Sequence, residues 1–417
     1  MNRKTEFDVE KIRKNFPIFK NYPKMQGKRF AYLDNGATTF KPYSVIRAAD
    51  YYYTHLNANT HRGDYDLAHD ADTAYYEARK TVADFINARL PEEIVFTAGD
   101  SMSMNIIAYG MLDFLKEGDE ILLSEAEHAS NILPWYDIAR IKKVNIRFIP
   151  LTKEGRITPE NLEKTISPKT KVVSLAHVTN VLGYVLPIKE LCAIAHKHGA
   201  YFIVDGAQSV PHMKVDVQDL DCDFLAFSGH KMLGPSGIGV MYGKLDLLKK
   251  MTPLLAGGGM NARFDKCGNV TYEEPPYKFE AGTQNVAGAL GLAAACRYLS
   301  KIGFEAIEAH EKRLRTKLVD AMLHNDKIIV YNPTAESGIV TFNVKGVFAQ
   351  DEGSLLNHYG VAVRSGLHCA KILTDFLGAY GTVRASIYLY NDDEDIDQLT
   401  DALHKTGKGD ILDAFFD

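Results

Sequence analysis

Through the middle of the chain, short continuous apolar runs alternate with stretches whose apolar residues recur every three or four positions. Glu93–Gly99 (EIVFTAG) predicts a strand ending in glycine, and the SMSMNIIAYGMLDFL that follows, entered at Ser101, predicts a helix. A short ILLS run predicts the strand that precedes His128, and Lys171–Val178 (KVVSLAHV) predicts another. Pro187 then opens a helix in which Ile188, Leu191, Cys192 and Ala195 share one face, and Gly199 closes it. Tyr201–Asp205 (YFIVD), Asp223–Ser228 (DFLAFS) and Gly237–Tyr242 (GIGVMY) predict further strands. Uninterrupted apolar runs of this length are what strands covered on both faces show. The series therefore predicts an α/β fold, a mostly parallel sheet with helices on both faces.

The pattern changes after residue 300. A long charged helix leads to short strands near Ile328–Tyr331, Gly338–Val344 and Val361–Arg364, then to a strand over Thr382–Tyr390 and an acidic helix. This division predicts a large α/β domain over 26–300 and a smaller α+β domain over 301–417. The N-terminal segment 1–25 is expected to pack on the small domain. Functional residues drawn from both parts would line a cleft between them, a favoured place for ligands.

Composition narrows the function classes. The 417 residues are 46% hydrophobic and 24% charged, with a net charge of −5, as in an ordinary soluble globular protein. That charge gives no reason to expect nucleic acid or an anionic membrane as partner. The N-terminal MNRKTEFDVEKIRKNFPIF lacks the apolar stretch of a signal peptide, and no segment is apolar for long enough to span a bilayer. Val286–Cys296 predicts a buried helix instead. Five cysteines without a C-x-x-C argue against disulfides and a zinc site, so no metal is expected and a cytoplasmic location is.

Several candidate groups fall at predicted strand ends, where open α/β sheets bind ligands. Asp205 closes YFIVD; a carboxylate there can hold a proton on a heterocyclic nitrogen, or serve only as a turn or helix cap. Lys231, in Ser228-Gly229-His230-Lys231, follows DFLAFS and leads into the glycine-rich GPSGIG. Burial there would lower the amine's pKa and make it a nucleophile; the plainer alternative is a surface lysine. Gly99-Asp100-Ser101 joins a strand to a helix and offers backbone N–H groups and a hydroxyl to an anion, or a cap alone. His128 presents a ring that can lie on a flat cofactor and shuttle a proton, or a cap. Together these are an amine, a partner for a pyridinium nitrogen, a phosphate cradle and a ring, the set that pyridoxal 5′-phosphate requires. Farther on, Arg364-Ser365-Gly366-Leu367-His368-Cys369 runs from a strand into a loop. Its thiol, beside His368 and near Arg364, is the candidate nucleophile. Cys192, Cys222 and Cys296 read as core, and Cys267 as a loop residue. Arg384, within an apolar strand, needs a fixed anion: a substrate α-carboxylate or a structural acid.

The chain resembles the class V aminotransferases, and among them the group II (SufS-type) cysteine desulfurases. The resemblance runs from Tyr32-Leu33-Asp34-Asn35-Gly36-Ala37-Thr38-Thr39 and Asn59-Thr60-His61-Arg62-Gly63 through His177-Val178-Thr179-Asn180-Val181-Leu182-Gly183. It continues in Val204-Asp205-Gly206-Ala207-Gln208, Ser228-Gly229-His230-Lys231, Phe279-Glu280-Ala281-Gly282-Thr283, the Cys369 loop and Val383-Arg384-Ala385-Ser386. It implies a fold-type I enzyme in which Lys231 binds pyridoxal phosphate covalently, Asp205 pairs the ring nitrogen, Gln208 meets the ring hydroxyl and His128 stacks on the ring. Ser101, Ser228 and His230 would hold the phosphate, and Thr283 would reach the phosphate of a second subunit in a homodimer. Asn180 and Arg384, with Arg364 nearby, would hold the carboxylate of L-cysteine. Cys369 would take the sulfur as a persulfide and pass it to an acceptor protein, for iron–sulfur cluster assembly or other sulfur traffic. The chain departs from the family pattern at Tyr65, at Ala98-Gly99-Asp100-Ser101-Met102, at Tyr184 and at Leu367. Two other readings stand beside this one: a selenocysteine lyase or other class V enzyme, in which Cys369 matters less, and a cofactor-binding regulatory partner without turnover.

Overall fold

The computed structural model describes residues 7–406. Among them, the principal sheet has seven strands: β1 Ile94–Thr97, β2 Glu120–Ser124, β3 Asn145–Ile149, β4 Thr170–Ala176, β5 Tyr201–Asp205, β6 Phe224–Ser228 and β7 Gly239–Gly243. Their order in space is β1-β7-β6-β5-β4-β2-β3, and β7 alone runs antiparallel to its neighbours. The apolar runs read in the sequence as doubly covered strands are buried end to end in β6 and β7. Helices α1 Asp66–Phe85, α2 Asp100–Gly110, α3 Ile188–Lys197 and α4 Val286–Ile302 flank this sheet, and two separate apolar clusters form with it. The Ala- and Gly-rich α4 is buried along most of its length, as its composition predicts.

After α5 Phe304–Leu323 comes a four-stranded antiparallel sheet of β8 Ile328–Val330, β9 Ile339–Val344, β10 Arg364–Gly366 and β11 Thr382–Ser386, in the order β8-β9-β11-β10. It is followed by the acidic α6 Asp393–Lys405, capped by Asp392. Two elements differ from expectation. The stretch Val361–Arg364 is split: Val361–Ala362 leaves the sheet to pair in parallel with Ala31–Tyr32, and β10 begins at Arg364. The run Thr382–Tyr390 is a strand only to Ser386; beyond it, Tyr388 and Tyr390 are fully buried and belong to the large-sheet core. An apolar run longer than its strand here reflects burial between two layers rather than continued pairing. Near the N-terminus, Phe16 packs edge-on against Tyr298 and Tyr390, while Arg13 donates to the Tyr390 carbonyl and pairs with Asp395. No described helix is long and apolar enough to cross a membrane.

Candidate active site

The carboxyl ends of the parallel strands converge on one cavity of about 200 Å³. β1 leads into Asp100 and Ser101, β2 into His128, β5 ends on Asp205 ahead of Gln208, and β6 ends on Ser228 ahead of His230 and Lys231. Asn180, beyond β4, and Arg364 and Arg384, from the small sheet, close the other side. Ten of the residues singled out in the sequence are therefore brought together: Ser101, His128, Asn180, Asp205, Gln208, Ser228, His230, Lys231, Arg364 and Arg384. Cys369 is exposed at the rim, and Thr283 is exposed and outside this cavity.

The turn from β1 to α2 depends on Gly99, whose φ of 151° disfavours a side chain. The N–H of Asp100 donates to Ser228 Oγ at 2.8 Å, tying the start of α2 to the end of β6. The Asp34–Thr39 segment clasps the lysine loop: the Thr39 backbone N–H and its hydroxyl both donate to the His230 carbonyl at 3.0 Å, and the Leu233 N–H donates back to Thr39 Oγ1. Gly36 lies so close to Arg384 that a β-carbon there would stand 3.0 Å from Nη2. The sequence pattern around residues 34–39 is thus read as a backbone brace for groups far away in the chain.

Electrostatics within the cavity are set mainly by burial. Lys231 makes no ion pair among the described residues, and burial lowers its amine pKa, against the pull of Asp205 and Asp100. Asp205 is 4% exposed and its Oδ1 accepts only the Ala207 N–H, at 2.9 Å; burial raises its carboxyl while Lys231 opposes. His128 is pushed down to about 4 by burial and by the positive Lys231, Arg364 and Arg384, so it is neutral at neutral pH. Its Nδ1 accepts the Ser130 N–H, which places the proton on Nε2. The histidine is therefore both the cap it resembled and a ring on the cavity wall. Gln208 spends its amide N–H on the Gly36 carbonyl at 2.8 Å.

Arg384 is 1% exposed, and its register partner across the strands is Arg364, a second guanidinium. It donates to the Asn180 carbonyl at 2.8 Å and reaches Asp34 only at 3.5 Å, and its Nε has no partner. The structural acid allowed for in the sequence exists but is distant, and two adjacent guanidiniums with one long carboxylate contact leave room for a further anion. Asn180 Oδ1 is also buried without a partner.

Arg364 Nη2 lies 3.4 Å from Cys369 Sγ. Of the two groups the sequence sets near the thiol, His368 and Arg364, only Arg364 faces it. The His368 ring is turned into the protein, with Nε2 on the Thr382 carbonyl at 2.9 Å, and burial holds it at about 3, far too weak a base to take a proton from the thiol. The loop's backbone is latched to the large sheet: Asn180 Nδ2 donates to the His368 carbonyl and the Ala129 N–H to the Cys369 carbonyl, both at 2.8 Å. His368 and Cys369 both take left-handed φ, 51° and 57°. Non-glycine residues in that region are held there by their surroundings, often at functional sites.

Three groups escaped the sequence reading. Asp34 is the acid facing Arg384. Glu127, fully buried beside His128, accepts from Asn131 and the Ala176 N–H and contacts Ser124, joining β2 to β4, and burial lifts it to about 8. Glu280, within Phe279-Glu280-Ala281, forms a buried bidentate pair with Arg79 and accepts the Phe96 N–H, locking α1 to β1. A paired arginine in a helix and an acid some two hundred positions later give no local pattern. Of the departures from the family pattern, Tyr65 is exposed, and Tyr184 is buried with Arg156 stacked 4.0 Å above its ring.

The sequence profile of the aminotransferase class-V family matches residues 31–399, and the chain belongs to that family. A Halalkalibacterium halodurans protein named "Probable cysteine desulfurase" is 47% identical over 401 residues, covering 96% of this chain and 98% of the relative. The apo structure of a cysteine desulfurase from Thermococcus onnurineus superposes with a TM-score of 0.90 at 39% identity, covering 96% of this chain and 98% of the other. A structure of C-DES in a variant with glycine covalently linked to its PLP cofactor superposes with a TM-score of 0.81 at 25% identity, covering 95% and 99%. The mostly parallel sheet and its site at the strand ends agree with the fold-type I architecture read from the sequence.

Proposed function

We propose that this chain is a pyridoxal-phosphate-dependent cysteine desulfurase of the group II type, converting L-cysteine to L-alanine with sulfur taken up by Cys369. The observation that carries the reading is the meeting, around one cavity, of a lysine without an ion pair, a strand-end aspartate and an arginine pair with a thiol at its edge. The donor set fits the cofactor: an amine, a carboxylate with one hydrogen bond, and hydroxyls at a helix start. The buried Asn180 Oδ1 and Arg384 Nε still lack partners.

Lys231 would carry the cofactor covalently. Asp205 would hold the proton of the ring nitrogen, Gln208 and His128 would meet the ring, and Ser101, Ser228 and His230 the phosphate. When bound, pyridoxal phosphate supplies an electron sink for bonds at the substrate's α-carbon. Arg384 and Asn180, with Arg364, fix the substrate carboxylate. Lys231, its amine shifted by burial toward the neutral form, moves a proton at the substrate's α-carbon. The Cys369 thiolate attacks the substrate sulfur; the C–S bond breaks, an S–S bond forms, and the carbon that loses sulfur gains a proton. The balance is cysteine plus enzyme thiol giving alanine plus enzyme persulfide. Because Cys369 is exposed, a sulfur-acceptor protein can collect the sulfur from the surface. Thr283 serves the neighbouring site in a homodimer, with residues 26–300 as the large domain and 301–417 as the small one; the segment 1–25, expected on the small domain, meets Tyr298 of the large one as well as Tyr390 through Phe16, while residues 1–6 and 407–417 lie outside the described residues.

Incubation with L-cysteine and a thiol reductant is expected to release alanine and sulfide in equal amounts. Turnover of selenocysteine alone would favour the lyase reading, and no turnover of either would favour the regulatory one. Asp205→Asn is expected to lower alanine production by roughly 10²–10³-fold, the loss typical of a removed electrostatic partner, with the circular dichroism spectrum unchanged. Wild-type turnover in that variant would make Asp205 a turn residue only.

A further inference from the structure

The acid at the start of α2 takes no part in the proposed chemistry. Asp100 is 6% exposed, lines the cavity and has an Oδ1 with no hydrogen-bond partner. It pairs with no cation among the described salt bridges. It stands between Gly99 and Ser101, and its own N–H is bonded to Ser228, so it belongs to the phosphate end of the proposed cofactor site. An ionised carboxylate can only accept hydrogen bonds and would repel a phosphate dianion, whereas a protonated one can donate.

The surroundings decide between these states. Burial raises the Asp100 carboxyl well above its ordinary range; Asp205 adds to this and Lys231 opposes it. Of the other groups on the cavity, His128 and His230 are both pushed to about 4 and stay neutral, while Arg364 and Arg384 lie with the substrate side. Glu127, lifted to about 8, stands behind Asp205 and adds no charge at neutral pH.

We propose that Asp100 is a further cofactor-binding residue whose protonated carboxyl donates a hydrogen bond to the phosphate, so that this chain's grip on pyridoxal phosphate weakens as pH rises. This rests on the cofactor reading above. The carboxyl is competent only while it keeps its proton, and apparent affinity falls with the competent fraction, by up to about tenfold per pH unit once the group titrates.

Holoenzyme dialysed to equilibrium against graded pyridoxal 5′-phosphate, between neutral and alkaline pH, reads this directly as retained cofactor. Titration of the phosphate is common to every variant, and the action of Asp100 on Lys231 is common to pyridoxal phosphate and to pyridoxal, so comparing the two ligands isolates the contact to the phosphate. The wild-type constant is expected to rise relative to that of Asp100→Asn, whose amide donates at every pH. Asp100→Ser, which also keeps a donor, is expected to show the same flat profile and covers the case in which the Asn variant folds poorly. With pyridoxal, which lacks the phosphate, only the part of the shift that passes through Lys231 should remain, so the ratio should move less than with pyridoxal phosphate. A ratio constant with pH, Asn binding tighter throughout, would mean an ionised carboxylate and overturn the proposal, as would an equal pH effect with pyridoxal. Wild-type protein that retains no pyridoxal phosphate at any pH would remove the cofactor reading itself.

Discussion

Lys231→Ala is expected to leave a folded protein that cannot attach pyridoxal phosphate and makes no detectable alanine from cysteine. The side chain sits in the loop after β6, clasped by Thr39 at the neighbouring His230 carbonyl, so its truncation removes an amine without removing a structural contact made by an ion pair. Two losses combine. The covalent hold on the cofactor goes, and with it the base that moves the proton at the substrate's α-carbon, alone worth roughly 10²–10⁴-fold. Burial lowers the Lys231 amine, while Asp205 and Asp100 act in the opposite direction. Lys231→Arg, permanently charged, should therefore fail like alanine, because a guanidinium cannot supply a free amine. Visible absorbance after cofactor addition and alanine release are the two measurements. Steady turnover near the wild-type rate in either variant would place the amine elsewhere.

The strands that form the site were legible because their apolar runs are uninterrupted: Tyr201–Asp205 has the same bounds in the sequence reading and in the fold. The edge strand β3 Asn145–Ile149 was not, since NIRFI is only half-buried and alternates weakly. Neither was the Ala31–Tyr32 pairing with Val361–Ala362, a two-residue parallel ladder between segments some 330 positions apart. Residues that line the cavity were legible where a strand end coincides with a reactive group, as at Asp205 and Lys231. Orientation was not. His368 adjoins Cys369 in sequence, yet the left-handed backbone at both residues turns its ring toward Thr382, and Arg364, five positions back, faces the sulfur instead. Nor does sequence say that Asp100 is buried in the cavity rather than turned to solvent, because first-turn acids are ordinary helix-capping residues.

Cys369→Ser is expected to bind pyridoxal phosphate and cysteine as the wild type does, yet to form no persulfide and lose alanine release by roughly 10³-fold or more, as when a covalent nucleophile is removed. Among the described hydrogen bonds, the thiol's side-chain partner is Arg364 at 3.4 Å, which is not one of the groups proposed to hold the cofactor. An unperturbed thiol is only a few per cent ionised at neutral pH, so attack needs help. The help cannot come from His368, buried and held at about 3. The cation placed to meet charge on the sulfur during attack is the Arg364 guanidinium, 3.4 Å away. Arg364→Ala should therefore reduce the rate of persulfide formation. His368→Gln, which keeps a donor toward the Thr382 carbonyl, should leave that rate in place. The latches from Asn180 and Ala129 hold the thiol's backbone beside the cavity, so the serine variant changes the nucleophile and little else. Trapping the persulfide with an alkylating reagent and weighing the product by mass spectrometry separates the outcomes. A serine variant that still makes alanine from cysteine at close to the wild-type rate would show that the sulfur leaves without Cys369, and the lyase reading would replace the desulfurase one.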